Sequence, residues 1–216
     1  MKPMNEDEKR SIVPAVLLAA ACLWALAESL CGAPLRAVER QVNPYKWERP
    51  DWGSCLPGNG KSCRTEILAA RCDVLAWTPN GESILTARCR DAYSGAAEIR
   101  TGRQWSLDHA LPASRAWYAR KWRNAKGGIC NRAQGCSSFA VYYNDPRVLF
   151  ETSIGENAEK GAQGPADSWC PDDRSILPAL AKSWRYAARR YRLPVTPAEW
   201  SALTLWDQGR CAGGAK

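Results

Sequence analysis

At 216 residues the chain has room for one domain with a real core, which excludes an assembly of several ordinary domains. No internal repeat and no long low-complexity linker divides it. Its net charge of +8 suits an anionic partner, either nucleic acid or a membrane surface.

Residues 1–10 are polar and include Lys2, Lys9 and Arg10. Ile12 to Ala27 then carries no charge, and Glu28 ends the run. This run falls short of the ~20 apolar residues that a spanning helix needs. It fits the apolar core of a secretory signal, with Ala25-Leu26-Ala27 as the small-x-small cleavage site. The rival reading is an uncleaved anchor over residues 11–30. Either way the protein is expected to be exported. It would be periplasmic or secreted, or held on the inner membrane by its N-terminus. Residues 28–50 follow as an irregular lead-in, and 51–216 as the working domain.

Cysteine usage points the same way. Of ten cysteines, Cys22 and Cys31 lie in or beside the targeting segment. The other eight are Cys55, Cys63, Cys72, Cys89, Cys130, Cys136, Cys170 and Cys211. An even set downstream of a signal reads as a disulfide framework in an oxidising compartment. Structural zinc is disfavoured, because there is no C-x-x-C pair and His109 is the sole imidazole. Eight cysteines allow about a hundred pairings, so the spacing leaves connectivity open. Cys130 with Cys136 is the cheapest local closure. Cys170 with Cys211 would close a long loop and tie down the C-terminal region.

Along the domain, residues 32–62 are rich in Pro, Gly and Trp and read as a surface lead-in. Residues 63–72 suit a short helix. Val74-Leu75-Ala76-Trp77 and residues 83–89 are strand-like, separated by the turn signal Thr78-Pro79-Asn80-Gly81. A second turn at residues 91–95 leads to a strand ending at His109. Residues 113–123 look helical. Their Trp117 and Trp122 among Arg115, Arg120, Lys121 and Arg123 suit either a phosphate backbone or a core-facing amphipathic helix. Residues 139–143 form a second short hydrophobic stretch that stops at Asn144-Asp145-Pro146. Residues 178–191 carry an apolar stripe at Leu180, Trp184, Ala187, Ala188 and Tyr191, the clearest helix of the chain. Pro194 and Pro197 break it. Thr196 with Glu199 then forms a capping box for a last helix. These elements amount to one α+β domain.

The chemistry centres on Leu107-Asp108-His109-Ala110-Leu111-Pro112. A second stretch follows, Asn144-Asp145-Pro146-Arg147-Val148-Leu149 running on to Glu156-Asn157-Ala158-Glu159-Lys160-Gly161. The first segment resembles the D-H-φ-φ-P opening of HNH, or ββα-metal, nucleases. The last resembles their closing N-x-x-K-G. Asn144-Asp145-Pro146-Arg147, Pro165-Ala166-Asp167-Ser168-Trp169, residues 63–68 and Tyr93-Ser94-Gly95 resemble further marks of a secreted bacterial branch. The match covers roughly residues 50–211, and its strength lies in the order and spacing of the set.

The resemblance implies a disulfide-stapled domain around a ββα-metal hairpin-plus-helix core, with C-terminal helices. It implies a metal-dependent endonuclease acting on DNA or RNA with little sequence preference. His109 would be the general base, because a neutral imidazole can take a proton from water at physiological pH. Asp108 and Asn157 would hold the metal, most readily Mg²⁺ and otherwise Mn²⁺ or Ca²⁺. Such a hard cation takes few protein oxygens and keeps several waters. Asn144, Arg147 and Lys160 would contact phosphate or brace the loop. Asp108 points to the opposite side of a strand from His109, so it reaches a metal only where the backbone bends.

One departure stands out. The family usually has Asn before Leu in the middle stretch, where this chain has Val148. The alternative expectation is therefore an inactive nucleic-acid-binding or envelope interaction domain on the same scaffold. A second is a disulfide-rich enzyme acting on another phosphodiester. Oligomeric state is left open.

Overall fold

The computed structural model describes residues 49–56 and 58–212. The signal-or-anchor expectation for residues 1–30 lies outside them, as do Cys22 and Cys31. Among the described residues no helix is long and apolar enough to cross a membrane. The architecture is mixed α+β, with two small sheets and four disulfides.

Helix α1 (Cys63–Arg71) starts where Ser62 Oγ accepts the Thr65 N–H, with Glu66 in the first turn to meet the positive helix end. It leads into an antiparallel meander of β1 (Asp73–Trp77), β2 (Ile84–Arg90) and β3 (Ala97–Thr101), in that spatial order. The β1–β2 turn closes with Gly81 N–H donating to Thr78 O, and Gly81 sits at φ 69°, where a side chain would be strained. Ile84, Ala87 and Cys89 of β2 face the core. The Cys72–Cys89 disulfide staples the end of α1 to β2, and Cys55–Cys63 ties the lead-in to its start.

Strand β4 (Trp105–His109) is buried along its whole length. The chain then forms α2 (Ala113–Ala119) and α3 (Ser137–Tyr143). A short 3₁₀ turn at Pro146–Val148 delivers it to β5 (Leu149–Ser153). β5 pairs antiparallel with β4, residue for residue from Trp105↔Ser153 to His109↔Leu149. Helix α4 (Ile154–Lys160) begins at the next residue, capped by Ser153 Oγ on the Glu156 N–H, and packs on both strands. Gly161 ends it at φ 52°. Helices α5 (Leu177–Tyr191) and α6 (Pro197–Asp207) pack together at the C-terminal end, and α5 also packs on the 3₁₀ turn. Thr196 and Glu199 form the expected capping box.

The core is heavy in indole. Trp105, Trp117, Trp122, Trp184 and Trp206 are fully buried. This settles the reading of residues 113–123. The helix stops at Ala119, and Trp117 and Trp122 pack edge-on against Phe139 in the core. They are not a platform for bases. Arg115 is spent on Asp167 and Glu199, and Arg120 on the carbonyl of Tyr191. The hydrophobic stretch at 139–143 is the body of α3. Both suggested disulfides, Cys130–Cys136 and Cys170–Cys211, are present, and the latter links the segment before α5 to the chain beyond α6.

Candidate functional site

The geometry of the site comes from β4 and α4 meeting. On the strand, Ser106 and Asp108 are two apart and face the same side. On the helix, Asn157 and Lys160 are three apart and share a face. The two pairs meet directly. Asn157 Nδ2 donates to Ser106 Oγ at 2.6 Å, and Lys160 Nζ lies 2.7 Å from Asp108 Oδ2. Lys160 also donates to the carbonyl of His109 at 3.0 Å and is fully buried. The Tyr93 hydroxyl donates to the same Asp108 oxygen at 2.5 Å. Burial and the neighbouring carboxylate push the Tyr93 hydroxyl well above its ordinary pKa, so it stays a donor.

His109 lies on the other side of β4, at its last paired position. Its Nε2 is 2.9 Å from the carbonyl oxygen of Tyr143, at the end of α3. A carbonyl can only accept, so Nε2 carries the proton and Nδ1 is the basic nitrogen. The ring is 5 % exposed and lies among Trp52, Tyr142 and Tyr143. Trp52 is nearly parallel to it, at 11° and 6.2 Å between centroids. Burial lowers the imidazole pKa from 6.5 to about 4, against the opposing pull of Asp108. The ring is therefore neutral at physiological pH.

Asp108, His109 and Asn157 all line one open cleft of about 720 Å³. Its lining also includes Arg49, Arg64 and Arg103, with Asp51 as the other acid. Arg64 is committed to the carbonyls of Gly102 and Trp105, and the Asp108 carboxylate is matched by Lys160. The cleft is thus positive on balance, as an anionic ligand requires.

The sequence-selected residues divide cleanly. Asp108, His109, Asn157 and Lys160 come together. Lys160 is internal, so it braces the strand and does not reach solvent. Asn144 and Arg147 are not in the cleft lining. Asn144 closes α3, its amide donating to Ala140 O. Arg147 is paired with the buried carboxylate of Asp145 at 2.9 Å. Val148 is fully buried, and its carbonyl accepts the Ala110 N–H at 2.8 Å. The main chain thus braces the loop after His109 at this position. The residue-for-residue β4–β5 pairing carries no bulge at Asp108, so the bend expected there is absent from the ladder.

Arg49, Trp52 and Arg103 were not singled out from sequence. Arg49 and Trp52 belong to the Pro- and Trp-rich lead-in, whose lack of periodicity hid their place. Arg49 donates to the Tyr143 hydroxyl at 3.2 Å, which draws the lead-in over the cleft. Tyr93 was marked by its motif, and its bond to Asp108 explains it.

Asp108 and Asn157 are the residues that could hold a divalent cation here. They line the cleft from the α4 side of β4, beside Ser106. With Nδ2 committed to Ser106, the amide of Asn157 presents Oδ1. Asp108 keeps its second oxygen, because Lys160 and Tyr93 both bind Oδ2. Among the described residues the only three-residue group of His, Cys or acid ligands is Cys55, Cys63 and Glu66, and its two cysteines are joined in a disulfide.

No family model matches this sequence, and no solved structure matches it. A curated relative from Arthroderma benhamiae, described only as an uncharacterized secreted protein, is 34% identical over 100 residues. The match covers 45% of this chain and 44% of that protein, so the chain spans less than half the length of the relative it matches.

Proposed function

We propose that the protein is a metal-dependent endonuclease of the HNH type that hydrolyses phosphodiester bonds of DNA or RNA. The observation that carries this reading is the convergence of His109, Asp108 and Asn157 on one positively charged cleft, delivered by two antiparallel strands and the helix that follows them. His109, held neutral by burial and fixed by Tyr143, accepts a proton from water at Nδ1. Arg49 and Arg103 attract the phosphate. A divalent cation on Asp108 and Asn157 would neutralise phosphate charge and stabilise the leaving oxygen. Lys160 and Tyr93 hold the Asp108 carboxylate in place. On this reading affinity comes from phosphate contacts and falls with salt. Four disulfides and a relative described as secreted support an exported protein.

A second reading is favoured by one observation. The ammonium of Lys160 already neutralises Asp108, and Val148 stands where the resembling family carries Asn. On this reading the domain binds nucleic acid without cleaving it.

Supercoiled-plasmid cleavage by the oxidised protein, with Mg²⁺ and with EDTA, decides between them. Nicking that needs metal and is lost in His109→Ala is the result expected. A well-folded wild type that binds DNA yet never nicks it, with Mg²⁺ or Mn²⁺, gives the binding reading.

A further inference from the structure

The cleft leaves one strongly charged surface without a role. Helix α5 carries four cations, Lys182, Arg185, Arg189 and Arg190, and no acid. One side of it is buried through Leu180, Trp184, Ala187 and Tyr191. On the other side Lys182, Tyr186, Arg189 and Arg190 stand at i, i+4, i+7 and i+8 and line a shallow concavity of about 540 Å³.

Arg185 is excluded from this stripe because it pairs with Asp207 at 2.7 Å. Lys182, Arg189 and Arg190 are exposed, and among the described residues no ion pair reaches them. A salt-bridge-laced surface helix alternates both signs, and this face carries only one. Arg189 and Arg190 gain from the negative helix end, but Lys182 is too far from it.

The aromatic in the stripe is held in place. Tyr186 donates its hydroxyl to Asp145 at 3.0 Å, and the Arg147 guanidinium lies 4.5 Å from its ring centre. Asp145 is itself buried, and it offsets Arg147 without touching the three outer cations. Three unmatched cations around a fixed ring suit a run of phosphates and sugars.

A short stretch of chain joins the stripe to the residue that holds His109, since Arg147 lies against Tyr186. Arg147 lies four residues after Tyr143, whose carbonyl holds His109. Four residues span at most ~15 Å.

We infer that the Lys182–Tyr186–Arg189–Arg190 face of α5 is a second, sequence-independent contact for the sugar–phosphate backbone of nucleic acid that occupies the cleft. The inference rests on the nuclease reading for the choice of nucleic acid over other polyanions.

The test is equilibrium binding of a fluorescent duplex of about 20 base pairs to the oxidised full chain in EDTA, across about 50 to 200 mM salt. Wild type is compared with Lys182→Ala/Arg189→Ala/Arg190→Ala, after a thermal melt shows both folded. Each phosphate contact contributes about 0.9 to the slope of log affinity against log salt. The triple variant should flatten that slope by about 2 to 3 and bind more than about tenfold more weakly at low salt. If the triple variant fails to fold, Lys182→Ala alone should flatten the slope by about 1. An unchanged slope overturns the inference, even if plasmid cleavage is intact. Flattening with no metal-dependent cleavage by wild type sustains the α5 contact and sinks the nuclease reading. Stripe-dependent binding to phosphatidylserine vesicles, with the DNA slope unchanged, overturns the inference in favour of a membrane.

Discussion

Lys160 Nζ sits 2.7 Å from Asp108 Oδ2, and the lysine is wholly buried. A buried pair adds little net stability, but removing one partner strands the other charge. That costs about 3 to 5 kcal/mol. Lys160→Met keeps most of the stem volume and leaves Asp108 alone. We expect it to lose about 3 kcal/mol in urea denaturation. Lys160→Met/Asp108→Asn should recover part of the loss. A loss of under about 1 kcal/mol for the single variant would mean that the pair does not join α4 to β4.

Much of this arrangement was legible in the sequence, but unevenly. The α5 stripe, the Thr196 capping box and the strand ending at His109 follow from local rules of periodicity and capping. Motif spacing placed Asp108, His109 and Asn157, because the strand and helix that carry them are short and regular. Arg147 and Asn144 lie in the same motifs yet work on Asp145 and α3. Their partners are long-range or backbone groups that spacing does not encode. The basic aromatic stretch at 113–123 stayed open between a binding face and a core-facing helix for a related reason. Whether Trp117 and Trp122 face out or in depends on α3, and α3 is set by tertiary packing. The lead-in residues Arg49 and Trp52 carried no periodic signal.

His109 couples stability to pH in the metal-free protein. Its folded pKa of about 4 lies below the unfolded 6.5. Between those values the unfolded chain binds the proton and the folded one does not, so stability rises with pH across the window. It is fully recovered above about 6.5, and about 3 kcal/mol is lost as pH falls from there to 4. Denaturation in EDTA at several pH values should show this slope in wild type. It should be reduced in His109→Gln, which cannot titrate. Parallel curves for the two proteins would mean that the ring is not held neutral by burial.

Asn157 bonds to Ser106 through its amide nitrogen, which on the proposed function leaves its oxygen for a cation. Asn157→Ala should weaken Mn²⁺ binding by tenfold or more, on the order of 1.4 kcal/mol. The fold should hold, since the side chain is only half-buried. Isothermal titration calorimetry reads this without any need for activity. Unchanged affinity would remove Asn157 from the ligand set. Ser106→Ala should give a smaller loss, because it frees the amide to rotate and removes no donor oxygen.

The four disulfides close loops of very different length, with sequence separations of 6, 8, 17 and 41. On the chain-entropy account a bridge stabilises by restricting the unfolded chain, and more so for a longer loop. Cys170→Ala/Cys211→Ala should therefore cost about 1.5 to 2 kcal/mol more than Cys130→Ala/Cys136→Ala. The long bridge also fixes the ends of the α5–α6 unit, and Cys170 follows Trp169, which packs on Tyr93 and Lys160 beside Asp108. Loss of this bridge should lower the melting temperature by correspondingly more. Equal destabilisation by the two double variants would show that strain or residual unfolded structure outweighs loop entropy here.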